Sequence, residues 1–281
     1  MLSNQKFILE GASNKEFALD ITYSDTQNNN GTIIFCHGFK GFKDWGSWQM
    51  IANYFADNGF AFVKFNFSYN GMGLEESTEF TELDKFASNT LSKEMEDIAS
   101  VEEFLMGDIP SISTLLNTDK MFIIGHSKGG VSSLLYCTQY KTNIQKVCTW
   151  ASPFDFYRSW NSEFITKWRT DGIQYIKNAR TKQLMPLSLS VLEDMEINKD
   201  KYSLVHAGKK LDIPLLIVQG TSDVAVKMEE AKLLKKHFTG GTLHIIEGAN
   251  HVFGGSHPFT EDSLPKDTDE LVQVTKHFFI D

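Results

Sequence analysis

Three side chains, far apart in the chain, have the types needed for acyl transfer: Ser127, Asp223 and His251. A serine hydroxyl is a poor nucleophile until a base takes its proton, and an imidazole base needs a carboxylate to fix its tautomer and orientation. Ser127 lies in Gly125-His126-Ser127-Lys128-Gly129, which fits G-x-S-x-G. The pattern carries chemistry when a strand enters it and a helix leaves it. Such a turn holds the serine in strained backbone geometry, where side chains at the flanking positions would clash. It also aims a helix N-terminus at the site, favouring developing negative charge. Asp223 ends Gln219-Gly-Thr-Ser-Asp223, and His251 ends Glu247-Gly-Ala-Asn-His251.

Positioning these groups requires strands that end where the motifs begin. The pattern predicts strands over Lys6–Glu10, Phe17–Tyr23, Thr32–Cys36, Phe60–Phe67, Met121–Ile124, Lys146–Ala151, Pro214–Val218 and Thr242–Ile246. Helical spacing covers Trp48–Asp57, Ser92–Met106, the segment after Ser127 to about Tyr140, Lys227–His237 and Asp267–Phe279. A polar turn over Asp25–Gly31 and a loop over Asn70–Thr81 fill two of the gaps. Strands alternating with helices imply βαβ units and a mostly parallel sheet. Loops at the carboxyl ends of parallel strands share one edge of the sheet, so Ser127, Asp223 and His251 can converge there. Their order along the chain is that of the hydrolases built on this elbow.

Between Pro153 and about Leu211 no central strand is evident, and the stretch is rich in aromatic residues. A structureless loop of that length is improbable, so residues 154–211 read as an inserted, mainly helical cap within a single 1–281 domain. Trp160 and Trp168 are the first candidates for a roof over an apolar substrate pocket.

With these pieces assembled, the chain resembles the α/β-hydrolase superfamily, in particular the cytoplasmic serine esterases of the cinnamoyl/feruloyl-esterase and dienelactone-hydrolase-like group. The matching segments are His37-Gly38-Phe39, Gly125–Gly130, Gly220–Asp223 and Asn250-His251. The resemblance implies an α/β-hydrolase fold: about eight strands, flanking helices, a Ser127–His251–Asp223 triad and no cofactor. It also implies an oxyanion hole made by the backbone N–H groups of Phe39 and Lys128. Dienelactone hydrolase itself uses cysteine where this chain has Ser127, which argues against that substrate. The expected activity is hydrolysis of small to medium acyl or aryl esters. A thioesterase, amidase or peptidase on the same triad, or a non-catalytic ligand-binding member of the fold, are the rivals.

Length, charge and cysteine usage narrow the partners. The 281 residues carry a net charge of −9, with no basic run, so nucleic acid is not expected. No apolar run approaches a membrane span, and the first ten residues lack a secretory h-region. Cys36, Cys137 and Cys148 read as buried thiols of a cytoplasmic protein. The histidines show no metal-ligand spacing, so no metal is expected. The expected partner is a small-molecule ester, and a homodimer stays open. Individual charges have competing readings. Lys128, Lys40 and Lys43 could steer an anionic group or simply reach solvent. Asp155 reads as the N-cap of a cap helix rather than a triad acid. Asp44 reads as a turn residue, and His37 as a brace for its loop.

Overall fold

The computed structural model describes residues 1–26, 30–75, 77–109, 111–157 and 160–281. The expected turn at 25–31, the loop at 70–81 and the insert at 154–211 therefore each include positions outside the described residues.

The chain opens with β1 (Leu2–Glu10) and β2 (Glu16–Ser24), followed by β3 (Gly31–Cys36), α1 (Trp48–Asp57) and β4 (Phe60–Phe65). Next come α2 (Leu83–Ala87), α3 (Leu91–Met106), β5 (Met121–His126), α4 (Lys128–Gln139) and β6 (Ile144–Trp150). The insert holds α5 (Ser162–Asp171), β7 (Ile173–Lys177), β8 (Leu184–Ser188), α6 (Leu189–Ile197) and α7 (Leu204–Gly208). The chain closes with β9 (Leu215–Gly220), α8 (Met228–His237), β10 (Thr242–Ile246) and α9 (Lys266–Ile280).

Eight strands form one sheet in the order β1-β2-β4-β3-β5-β6-β9-β10. β2 runs antiparallel to both of its neighbours, and every other pairing is parallel. The expected mostly parallel, helix-flanked sheet is therefore present. Its central strands are buried on both faces, which is why they read as unbroken apolar runs. Ile33, Phe35, Phe122 and Ile124 pack with Trp48, Ile51 and Phe55 of α1 and Leu271 and Phe279 of α9. Ile34, Cys36, Met121 and Ile123 face the other way, toward α3, α4 and α8. The alternation is the period-two geometry of a strand. All three cysteines are buried and free.

Two regions depart from the sequence reading. The insert's regular structure is mostly helix, as expected, but not helix alone: β7 and β8 pair antiparallel as a two-stranded ribbon outside the main sheet. Both strands are five residues long, and a proline lies inside the second, which masks their alternation. The short helix α2 also went unread, because five residues are too few for a periodicity to emerge.

Buried charge is the other surprise. Lys43 is not a surface cation: its Nζ lies 2.8 Å from Asp20 Oδ2 and 2.5 Å from Asp44 Oδ2. Lys64 bonds the same two carboxylates, so Asp44 is part of an ion cluster rather than only a turn residue. Helix α3 turns three acids inward: Glu94, Asp97 and Glu102. Glu102 accepts from Tyr136 Oη at 2.6 Å and from Asn143 N at 2.5 Å. Asp97 accepts from the backbone N–H groups of Ala12 and Ser68, each at 2.8 Å. Burial nevertheless pushes the Asp97 carboxyl up to about 7.

Candidate active site

The chain turns from β5 into α4 within one residue, Ser127, whose backbone sits at φ 54°, ψ −123°. A non-glycine residue there stores roughly 1–3 kcal/mol of strain, held only by surroundings that over-determine it. The surroundings are visible. Ser127 N donates to Trp150 O of β6 at 2.8 Å, and Gly130 N donates to Ser127 O at 2.9 Å. A Cβ at Gly129 would lie 2.2 Å from Cys36 O, so only glycine lets α4 press this closely on the end of β3.

β9 and β10 deliver the other two groups to the same edge. His251 Nε2 stands 3.1 Å from Ser127 Oγ, and His251 Nδ1 stands 2.8 Å from Asp223 Oδ2. Asp223 accepts two further bonds at Oδ1, from Ala225 N and Val226 N, each at 2.8 Å. Gln219 Nε2 donates to Oδ2 at 3.0 Å. Burial works to raise the Asp223 carboxyl, but the His251 hydrogen bond and charge and the two backbone donors outweigh it, leaving it below the usual carboxylate range. An ionised Asp223 accepts from Nδ1–H, which leaves Nε2 bare to receive the serine proton. Sequence reasoning named these three residues, and the structure brings them together.

It did not find the role of His126. Its Nε2–H donates to the backbone carbonyl of His251 at 2.9 Å, and the two rings lie 5.0 Å apart. Burial pulls the His126 imidazole down to about 3, so it stays neutral beside the His251 ring. No spacing rule could have signalled this bond, because it spans 125 positions.

The loop after β3 lies against the elbow: a Cβ at Gly38 would come within 2.9 Å of Ser127 Cβ. Phe39 is the next residue of that loop, and Lys128, the first residue of α4, follows the serine directly. His37 braces the loop as expected. Its Nδ1 lies 2.9 Å from Gly38 O and its Nε2 3.3 Å from Asn70 Nδ2, and burial pulls its imidazole down to about 4. Asn66 Oδ1 accepts from Lys43 N at 2.9 Å and pins the far end of the loop.

The Lys128 side chain does neither thing expected of it. It neither reaches solvent nor offers an uncompensated charge, since its Nζ is 2.7 Å from Glu94 Oε1 and both side chains are buried. Lys40 is half-buried and lies 5.7 Å from the ring of Phe39. Among the described residues Asp155 caps no helix; it accepts from Tyr157 N at 2.9 Å, and Asn161 is the N-cap of α5.

The insert brings an aromatic wall. Phe156 packs 5.6 Å from Phe39 and 5.9 Å from Trp160, ring to ring. Trp160 is half-buried and lies in this wall. Trp168 is not a roof residue. It is 0% exposed, packs 4.8 Å from Trp160 on the inner side, and donates Nε1–H to Leu187 O at 2.9 Å. It belongs to a core that the insert's Met185, Leu187 and Leu192 share with Phe42, Phe80 and Phe86. A cavity of about 440 Å³ runs beneath the insert, walled by Val131 of α4 and by Phe156, Ile165, Leu192 and Met195. Neither this cavity nor a groove of about 530 Å³ near β1 and β2, lined by Lys6, Asp20 and Met72, is lined by any of the three candidate groups.

This fold and this elbow are those of the α/β-hydrolases. Residues 27–202 match the family described as serine aminopeptidase, S33 (Hydrolase_4), and the chain belongs to that family. The matched stretch contains the elbow and the loop after β3, and ends before Asp223 and His251. Epoxide hydrolase 1 of Caenorhabditis elegans is 25% identical over 293 residues, covering 87% of this chain and 67% of that protein. Among solved structures, a putative hydrolase of Agrobacterium vitis S4 superposes with TM-score 0.73 at 16% identity over the whole of both chains. The Butyrivibrio proteoclasticus protein Est1E, solved with ferulic acid bound, gives TM-score 0.69 at 17% identity over 98% of each chain. Among the described residues no helix is long and apolar enough to cross a membrane.

Proposed function

We propose that this chain is a serine hydrolase of small to medium carboxylic esters, using Ser127, His251 and Asp223 as its triad. One observation carries the reading: a strained Ser127 with Oγ 3.1 Å from an imidazole whose other nitrogen is 2.8 Å from a depressed carboxylate. Ser127 Oγ attacks the ester carbonyl while His251 Nε2 takes its proton. The tetrahedral oxyanion is held by the N–H groups of Phe39 and Lys128, each worth about 3–4 kcal/mol. Collapse expels the alcohol, which takes the proton from His251 and leaves an acyl-serine. Water, losing a proton to His251, then releases the acid and restores Ser127. Asp223 stabilises the imidazolium throughout.

On this reading the chain is one hydrolase domain with residues 154–211 as its cap. Trp160, Phe156 and Phe39 form the wall on the acyl or aryl group, and Trp168 supports the cap from behind. The ferulic acid bound to Est1E makes aryl esters the first substrates to test. The partner is a small-molecule ester, without nucleic acid, membrane or cofactor. Three buried free thiols support a cytoplasmic setting.

A second reading, amide or peptide hydrolysis on the same atoms, is favoured by the description of the matched family. Matched ester, thioester and amide substrates assayed side by side separate the two. Labelling by a fluorophosphonate tests both: an unlabelled Ser127 in folded wild-type protein would leave a binding module instead.

A further inference from the structure

The residue after the candidate nucleophile is a lysine whose charge is turned away from solvent. Lys128 and Glu94 are 3% and 4% exposed, and Nζ lies 2.7 Å from Oε1. The other carboxylate oxygen, Oε2, accepts from Ser132 Oγ at 2.5 Å. Lys128 and Ser132 are four residues apart on α4 and so lie on one face of its first turn. Glu94, from α3, therefore grips that turn at two points, one per oxygen. Asn89 Nδ2 donates to Oε1 at 2.9 Å and holds the carboxylate from the α3 side.

Stability is a weak account of this arrangement. Desolvating two ions costs several kcal/mol, and an apolar pair of like volume is often as stable or more so. What the pair supplies is register. The first turn of α4 carries the Lys128 N–H, and its rotation about the helix axis decides where that donor points. The same ammonium lies 5.2 Å from the ring of Phe156, which packs 5.6 Å from Phe39. One buried cation thus touches the settings of both proposed donors.

We propose that the Glu94–Lys128–Ser132 grip is a positioning device for the oxyanion hole, fixing the Lys128 N–H directly and the Phe39 loop through Phe156. The proposal rests on the serine-hydrolase reading. Because the donor is backbone, changing the Lys128 side chain leaves it in place and alters only its aim. A donor displaced by a fraction of an ångström loses roughly 10- to 100-fold in rate, since a 1 Å error alone is worth about 10²-fold.

The test is the double variant Lys128→Met/Glu94→Leu, which removes both charges while keeping the volume. The single Lys128→Met strands Glu94 in the interior and is read only for folding. We expect the double variant to melt within a few degrees of wild type, to keep KM for an aryl ester within about twofold, and to lose roughly 10- to 100-fold in kcat. Fluorophosphonate labelling of Ser127 should slow in parallel. A folded double variant with wild-type kcat overturns the proposal and makes the pair merely structural. If the double variant does not fold, Glu94→Gln decides. It keeps an acceptor for Nζ and loses the charge, so a fall in kcat of about three- to tenfold at unchanged KM supports the grip, and an unchanged kcat overturns it. Absence of labelling in wild type would instead remove the hydrolase reading itself.

Discussion

At the edge of the sheet, Ser127 follows β5 directly, and Asp223 and His251 sit on short loops after β9 and β10. In the 154–211 insert, Trp160 sits beside α5 and Trp168 on it, within an apolar cluster that also takes in Phe42, Phe80 and Phe86. The first region is tied by hydrogen bonds between distant strands, such as His126 to the carbonyl of His251. The second is held by aromatic contacts among Trp160, Phe164 and Trp168. Bonds with direction fix atoms to fractions of an ångström, whereas apolar packing conserves volume and tolerates exchange. The difference separates a region built for one geometry from a region able to change what it accommodates.

Substitutions can break this contrast, beginning with the largest effect. Ser127→Ala should lower ester turnover by roughly 10⁴–10⁶ while the melting temperature stays near wild type. Turnover persisting in the folded variant would move the chemistry elsewhere. Asp223→Asn should cost roughly 10⁴ in kcat, because an amide presents a donor to Nδ1 and favours the wrong imidazole tautomer. A loss below about tenfold would mean that the 2.8 Å contact is not used.

The two tryptophans sharpen the other side. Trp168→Ala should cost about 3–5 kcal/mol of stability, read by urea denaturation, with an unchanged order of ester preference in the folded fraction. Trp160→Ala should do the reverse, shifting KM and acyl preference several-fold with a smaller stability cost. If both variants altered preference alike, Trp168 would not be the interior residue its burial makes it.

The smallest effect is in pH. His126 is held down to about 3, against an ordinary value of about 6.5, so the unfolded chain binds the proton first as pH falls. Its contribution is complete above about pH 6.5 and is lost progressively as pH falls toward 3. His37, held down to about 4, acts in the same direction. Asp97, raised to about 7, acts oppositely: its burial penalty grows as pH rises from about 4 to 7. His126→Gln keeps a donor for the His251 carbonyl and removes the titration. The stability gap between wild type and this variant should narrow from pH 7 to pH 4. A constant gap would show that His126 does not stay neutral.

Much of the site could be read from the chain because each part of it follows a local rule. A glycine-flanked serine between strand and helix signals the elbow, and motifs after later strands mark the acid and base. The supporting contacts obey no local rule. No local signal singles out Glu94 on α3, Lys43 reads as a steering or solvated cation, and Trp168 reads as the equal of Trp160. The partners that settle their roles, Lys128 and Ser132 for Glu94, Asp20 for Lys43 and Leu187 for Trp168, lie 19 to 38 positions away, so only the packing of the elements decides that they meet.

The sequence by itself determined the order of the main-sheet strands and of the helices that alternate with them, and it brought the candidates Ser127, Asp223 and His251 to one edge. Those features depend on period, turn chemistry and the direction of parallel strands, all written in neighbouring residues. The tertiary structure decided which charges are paired, which tryptophan faces outward, and that β7 and β8 form a ribbon outside the sheet. Burial and ion pairing are properties of the space between elements, and that space exists only once they have packed.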